Sequence, residues 1–429
     1  MKKFINTLLF VFLISGTYFF TSCSSDSPAL GGDDDVITSE MEEINSFSID
    51  DLMKMKAELE SQGIEVPEIG LTEEESESTT RFSWSKPTIK AIKVSTKTLH
   101  PNGSGNYINV SGVLLVPSKT WSTGLQTFRI IVSPPGTYTS NDAAPSIAYK
   151  SLIANNQVLS FMYFWILQAQ SQVILIPDYP GFGDSYGQCF HPYLDSKALV
   201  NSTLDLIKAS RSTLLANGYR YKKDISIAGY SQGAYVGASL AREIETNSHG
   251  FSVNLLVAGG TPCNLKYIAD AVRSSDYLQH TYFLPYALWG YKENAYPNLN
   301  ISDFLLEPYA SKSKAYYDGT HADLNEYFSH VPSEVYTEKF IKYMDTDQSM
   351  TYINQILDEN SVKPWKNNCR FIMTHGTGDV SVYFQNAKDF AASQNQAGGQ
   401  VSFYSTNGDH LSAFAPFFTT ATTYLALYR

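Results

Sequence analysis

Cysteine is scarce in this chain, four residues in 429, and its placement excludes two ways of holding a fold together. Cys23 closes an apolar leader. Cys189, Cys263 and Cys369 form no disulfide framework, because at most one pair can join and one thiol is left over. No two of them have a CxxC or Cys/His spacing, which argues against a structural metal. Cys369 opens an apolar run and reads as a small buried hydrophobe. Charge is sparse too: 17% of residues are charged against 43% hydrophobic, a core-forming and not a disordered balance. The net charge of −11 is unevenly spread. Residues 24–80 carry 17 Asp/Glu against two Lys, whereas residues 81–429 carry 25 Asp/Glu against 27 Lys/Arg. The body is therefore nearly neutral. It has no basic patch or basic helix, so no nucleic-acid partner is expected.

The leader has a physical design of its own. Lys2 and Lys3 are positive, the stretch 4–20 is dominated by apolar residues, and Thr21-Ser22 places small side chains before Cys23. The run is short for a membrane span and is broken at Ser15-Gly16-Thr17. It resembles a bacterial lipoprotein signal. The resemblance implies removal of residues 1–22, lipid on the Cys23 thiol, and an exported protein tethered in the cell envelope on its periplasmic or cell-surface side. Phe20 stands where leucine is usual, which leaves cleavage by an ordinary signal peptidase open. Residues 24–45, rich in Ser, Asp and Gly, read as a flexible spacer. A short helix is expected from Ser48, Asp50 or Asp51 to about Gln62, stopped by Gly63. Glu73-Glu74-Glu75 begins a second acidic stretch, so residues 23–80 are expected to form an acidic flexible tether.

From about residue 89 strand signals recur: 91–98, 108–117, 128–133, 173–177, 224–228, 253–258, 370–374 and 401–405. The first two alternate, as in a hairpin turning near Pro101-Asn102-Gly103. Most of the later ones are continuously apolar, as in a parallel sheet covered on both faces. Residues 196–217 have helical spacing. Eight strands with helical crossovers predict a doubly wound, mostly parallel α/β sheet over residues 81–429. Residues 260–365 form an insertion far longer than a crossover. In it Tyr277, Tyr282, Phe283, Tyr286, Trp289, Tyr291 and Tyr296 are expected mainly as the insertion's own core, with an aromatic wall over the site as the other reading.

The chemistry concentrates at Gly229-Tyr230-Ser231-Gln232-Gly233, between the β-branched run 224–228 and a helical stretch 234–245. A serine between two glycines at a strand-to-helix turn is the setting of a nucleophile elbow. The glycines permit the sharp turn, and the hydroxyl is held near the positive end of the helix dipole. A serine nucleophile needs a base, and the base an orienting acid. Asp379 and His410 each follow an apolar strand, where loops of an α/β sheet converge, and the order Ser231, Asp379, His410 is that of α/β-hydrolase triads. His191 and His375 read as loop-shaping residues.

With Pro177-Asp178-Tyr179-Pro180-Gly181-Phe182-Gly183-Asp184-Ser185, His191-Pro192-Tyr193-Leu194, His375-Gly376-Thr377-Gly378-Asp379 and Gly408-Asp409-His410, residues 88–429 resemble the α/β-hydrolase superfamily. Within it they are similar to secretory-lipase-like esterases with a helical cap. The resemblance implies hydrolysis of carboxylic esters through an acyl-serine, without metal or organic cofactor, on a small-molecule, glycan or lipid ester. It implies an oxyanion hole from the N–H of Gln232 and one from Gly136 or Thr137. Many relatives carry His-Gly-Thr at that loop. Here Pro134-Pro135-Gly136-Thr137 stands instead, and proline has no N–H to give. A serine peptidase uses the same triad, and a binding protein could retain the fold. About 65 residues separate Cys23 from the first strand, too few for the propeller such peptidases commonly carry, and no triad position is missing.

Overall fold

Among the described residues, nine short runs build one sheet: β1 (Glu40–Phe47), β2 (Ile89–Leu99), β3 (Tyr107–Pro117), β4 (Thr127–Val132), β5 (Val173–Pro177), β6 (Arg220–Tyr230), β7 (Ser252–Gly259), β8 (Arg370–Gly376) and β9 (Val401–Thr406). Their spatial order is β1-β2-β3-β5-β4-β6-β7-β8-β9. The pairs from β1 to β5 are antiparallel, and every pair from β5 onward is parallel. The structure, a computed structural model, describes residues 40–64, 66, 88–118, 127–152 and 156–428. The leader, Cys23, the spacer as far as residue 39 and the Glu73-Glu74-Glu75 stretch lie outside the described residues.

Helices of seven or more residues are α1 (Ile49–Ser61), α2 (Pro145–Ser151), α3 (Asn156–Gln168), α4 (Ser196–Ala216), α5 (Gln232–Thr246), α6 (Leu265–Ser274), α7 (Phe283–Glu293), α8 (Thr351–Asn360), α9 (Phe384–Gln396) and α10 (Phe414–Leu427). They cover both faces of the sheet, which explains the continuous apolar strands. In β4, Ile130 and Val132 pack with α4, α5, α9 and the cap, whereas Ile131 points the other way with α1, α3 and α10. In β5, Val173 and Leu175 face the first layer, and Ile174 and Ile176 the second.

Two expectations need correction. Among the described residues the sheet has nine strands, not eight, and the ninth, β1, comes largely from the stretch read as flexible spacer. β1 has almost no apolar pattern, and only Phe47 is buried. What holds it is its ladder with β2, the Asn45 side-chain N–H to the Tyr149 carbonyl at 2.9 Å, and ion pairs of Glu43 with Lys90 and Glu42 with Lys150. The helix after it is likewise no part of a tether. Ser48 caps α1, its hydroxyl accepting from the Asp51 N–H while Asp51 accepts from the Ser48 N–H. Leu52, Met55 and Leu59, spaced for one helical face, are buried beside α3.

Residues 260–365 form a cap of short helices and 3-10 turns, with α6, α7 and α8 the longest. Its aromatic residues are mostly core, as expected: Tyr286, Trp289 and Tyr291 are buried, whereas Tyr277 is exposed. Tyr286 stacks between Tyr193 of the body and Tyr317 of the cap, with centroids 4.6 Å apart on each side. Cys189, Cys263 and Cys369 are free, and Cys369 is buried.

Candidate active site

The parallel strands end at one edge of the sheet, and the loops leaving β6, β8 and β9 bring Ser231, Asp379 and His410 together. The Ser231 hydroxyl lies 3.0 Å from His410 Nε2, and His410 Nδ1 lies 2.6 Å from Asp379 Oδ2. With Nδ1–H donating to the carboxylate, Nε2 is left to accept the serine proton. Ser231 has φ 56° and ψ −123°, a conformation that costs an L-residue on the order of 1–3 kcal/mol. The surroundings impose it: the Ser231 N–H donates to the Gly259 carbonyl at 2.8 Å, and α5 begins at the next residue. Glycine is required at 233 because a Cβ there would run into the Pro134 carbonyl. Gly260, at φ +55°, lets the chain pass His410, where a Cβ would stand 2.9 Å from the imidazole Cε1.

Asp379 is almost fully buried. Burial alone would raise its carboxyl. The N–H groups of His375, His410 and Val382 around it outweigh that and hold it at about 2. Its Oδ1 accepts from the N–H of Ser381 at 3.0 Å and of Val382 at 2.8 Å. The charged form is therefore the stable one beside His410.

Gln232 is the first residue of α5, and no described residue accepts its backbone N–H; the same holds for the N–H groups of Gly136 and Thr137. The loop carrying Gly136 and Thr137 lies against the elbow, since an added Cβ on Gly233 would also meet the Pro135 carbonyl at 2.9 Å. The sequence reading missed the three tyrosines that brace this arrangement. Tyr179 donates to the Pro135 carbonyl at 2.6 Å, and the Tyr193 hydroxyl meets Thr137 Oγ1 at 3.0 Å. Tyr230 donates to the His410 carbonyl at 2.7 Å with its ring 5.1 Å from the imidazole. All three lie inside the motifs quoted above, but their partners are carbonyls or hydroxyls tens of residues away.

His191 and His375 have the structural settings expected of them. His191 donates from Nδ1 to the Pro180 carbonyl at 2.8 Å and accepts at Nε2 from the Gln232 side-chain amide at 3.1 Å. Burial lowers its pKa to about 3, so it is neutral. Asp178 anchors the same loop, accepting from the Ser111 hydroxyl at 2.5 Å and the Ser146 N–H at 2.9 Å.

Beside the site, α6, α7 and the Asp379 loop line a partly open apolar pocket of about 70 Å³ walled by Leu265, Ile268, Val272, Phe283, Leu284 and Ala287. Val380 and Ser381, next to Asp379, form its near side, and His280 adds a polar edge. Phe283 and Tyr291 are the residues of the aromatic group that reach it.

No family model matches this chain, and no curated protein does. Solved structures do. The esterase LipA of Xanthomonas oryzae, described as rice cell wall degrading, superposes with a TM-score of 0.71 at 19% identity over 91% of this chain and 98% of its own. The fold is that of the α/β-hydrolases. A Legionella pneumophila protein designated a hydrolase gives 0.74 at 18% identity over the same shares. Candida antarctica lipase A gives 0.57 at 15% over 75% of this chain and 73% of its own. In α/β-hydrolase terms, Ser231 occupies the elbow, and the cap enters after the strand that follows it.

Proposed function

We propose that this chain is a serine hydrolase of carboxylic esters, with Ser231 as nucleophile, His410 as general base and acid, and Asp379 as the acid that orients it. The observation that carries the reading is the continuous chain of contacts from Ser231 Oγ through His410 to a buried, ionised Asp379. His410 Nε2 takes the Ser231 proton as Oγ attacks the ester carbonyl. Asp379 stabilises the imidazolium that forms. The oxyanion is met by the Gln232 N–H and by one from Gly136 or Thr137, each worth about 3–4 kcal/mol of transition-state stabilisation. Collapse of the tetrahedral adduct breaks the C–O bond, and His410 returns the proton to the leaving alcohol. Water then attacks the acyl-serine with His410 again as base, releasing acid and free serine.

The apolar space under the cap supports an acyl group as the part of the substrate held there. The names of the similar esterase and lipase point to the same chemistry. The test is hydrolysis of a p-nitrophenyl ester series by residues 24–429 beside the Ser231→Ala protein. Turnover that needs Ser231 is expected; equal turnover by the variant would move the nucleophile elsewhere. We further propose, from the leader alone, that Cys23 is lipidated and the enzyme anchored in the cell envelope. The protein should then incorporate labelled palmitate and the Cys23→Ala protein should not; equal labelling, or none in either, would count against the anchor.

A further inference from the structure

His375 ends the apolar part of β8 with no exposed side-chain surface, and its ring is held edge-on to Phe384 at 6.0 Å. Nε2 lies 2.7 Å from the Val382 carbonyl and 3.2 Å from Asp379 Oδ2. Nδ1 is buried with no partner among the described residues. Both acceptors face Nε2, so the ring proton sits there. That proton points chiefly at the Val382 carbonyl, while the N–H of Val382 is one of the two donors on Asp379 Oδ1. The imidazole thus meets Asp379 directly at Oδ2, and it also pins the carbonyl of Val382, the residue whose N–H donates to Oδ1.

We propose that His375 is a positioning residue, the fourth member of the chain Ser231–His410–Asp379–His375, and that it sets how much of the Asp379 charge reaches His410. The proposal rests on the triad reading above and extends it. Asp379 Oδ2 faces two N–H dipoles, one from each histidine. Taking away the His375 dipole leaves more of the carboxylate's charge for the His410 imidazolium, which then gives up its proton less readily. The other titratable groups around this couple are Tyr230 beneath the His410 ring, Asp409 on the same loop, and His280 from the cap. None of them touches His375 Nε2.

The experiment compares wild type, His375→Leu and His375→Gln in the pH dependence of kcat/KM on one p-nitrophenyl ester. Glutamine can place an amide N–H near the position of Nε2; leucine cannot. In the leucine variant the acid limb is expected to move up by roughly half a pH unit or more, with a lower kcat and little change in KM. In the glutamine variant the limb should return toward wild type. A folded leucine variant with an unmoved limb, or limbs moved equally in both variants, overturns the proposal. Serine-dependent turnover, checked with Ser231→Ala, keeps that failure distinct from a failure of the triad reading. Should the leucine protein not fold, nitrogen NMR of wild type at pH 8 decides. A His375 ring protonated at Nε2 agrees with the proposal, and one protonated at Nδ1 sinks it.

Discussion

The sheet body and the cap hold themselves together by different means. In the body, parallel strands share ladders, and their apolar side chains alternate between two packed layers. The cap has short helices, and its coherence comes from stacked rings and tyrosine hydroxyls that donate to distant carbonyls. Tyr317 donates to Tyr282 at 2.7 Å, Tyr336 to Thr281 at 2.6 Å, and Tyr291 reaches back to Leu194 of the body at 3.1 Å. The proposed reacting groups all stand on the body, three of them on loops that directly follow strands. The cap supplies most of the apolar wall. A site built this way separates rate from selectivity: damage to the body should strike the chemical step, and damage to the cap should change which ester is taken.

The sharpest break of that contrast is at the elbow. Ser231→Ala should lower hydrolysis by roughly 10⁴-fold or more with nearly unchanged unfolding, because it removes only the hydroxyl that meets His410. Asp379→Asn should cost about 10³–10⁴-fold, read as kcat with saturating ester. The same residue carries a pH signature. Its folded carboxyl is held at about 2 against an ordinary 3.8, so its stabilisation is complete above the higher value and disappears as pH falls through the lower one. Denaturant unfolding of wild type should weaken across that window, and the Asn variant should show a flatter acid limb. A stability curve equally steep in both would mean that other carboxylates govern acid unfolding.

The body was also the more legible half, and the two facts have one cause. Ladders between apolar strands leave a local pattern, so every strand from β2 to β9 was found to within a few residues. β6 was the exception, beginning four residues early at Arg220 because its polar start pairs with Thr127 and Phe128 of β4. Asp379 and His410 were legible because each follows such a run. β1 was not, since a strand of glutamates held by backbone bonds and ion pairs carries the composition of a tether. Tyr179, Tyr193 and Tyr230 were visible as letters in motifs, but a hydroxyl's acceptor 44 or 180 residues away has no spacing to read. The cap's stacking is invisible for the same reason.

Smaller effects test the cap side of the comparison. Phe283 walls the apolar space from the cap side. Phe283→Ala should raise KM for long-acyl esters by roughly tenfold, the worth of part of a buried ring, and leave short-acyl turnover nearly unchanged. Loss of short-acyl kcat instead would show that the cap helps position the reacting groups, and the division between rate and selectivity would fail.

The smallest expected change isolates the kind of bond on which the cap depends. Tyr317→Phe keeps the ring, and so keeps its stack on Tyr286, but removes the hydroxyl that donates to the Tyr282 carbonyl. Tyr317 is buried, and the Tyr282 carbonyl, left with the Tyr286 N–H at 3.1 Å as its donor, sits at the start of α7, which also carries Phe283. The loss should cost about 1 kcal/mol in denaturant unfolding. If α7 then shifts, long-acyl KM should rise by a smaller factor than in Phe283→Ala, with short-acyl kcat intact. A stability loss with no change in any KM would place the tyrosine hydroxyls in folding alone, and would leave the shape of the acyl space to the apolar side chains that line it.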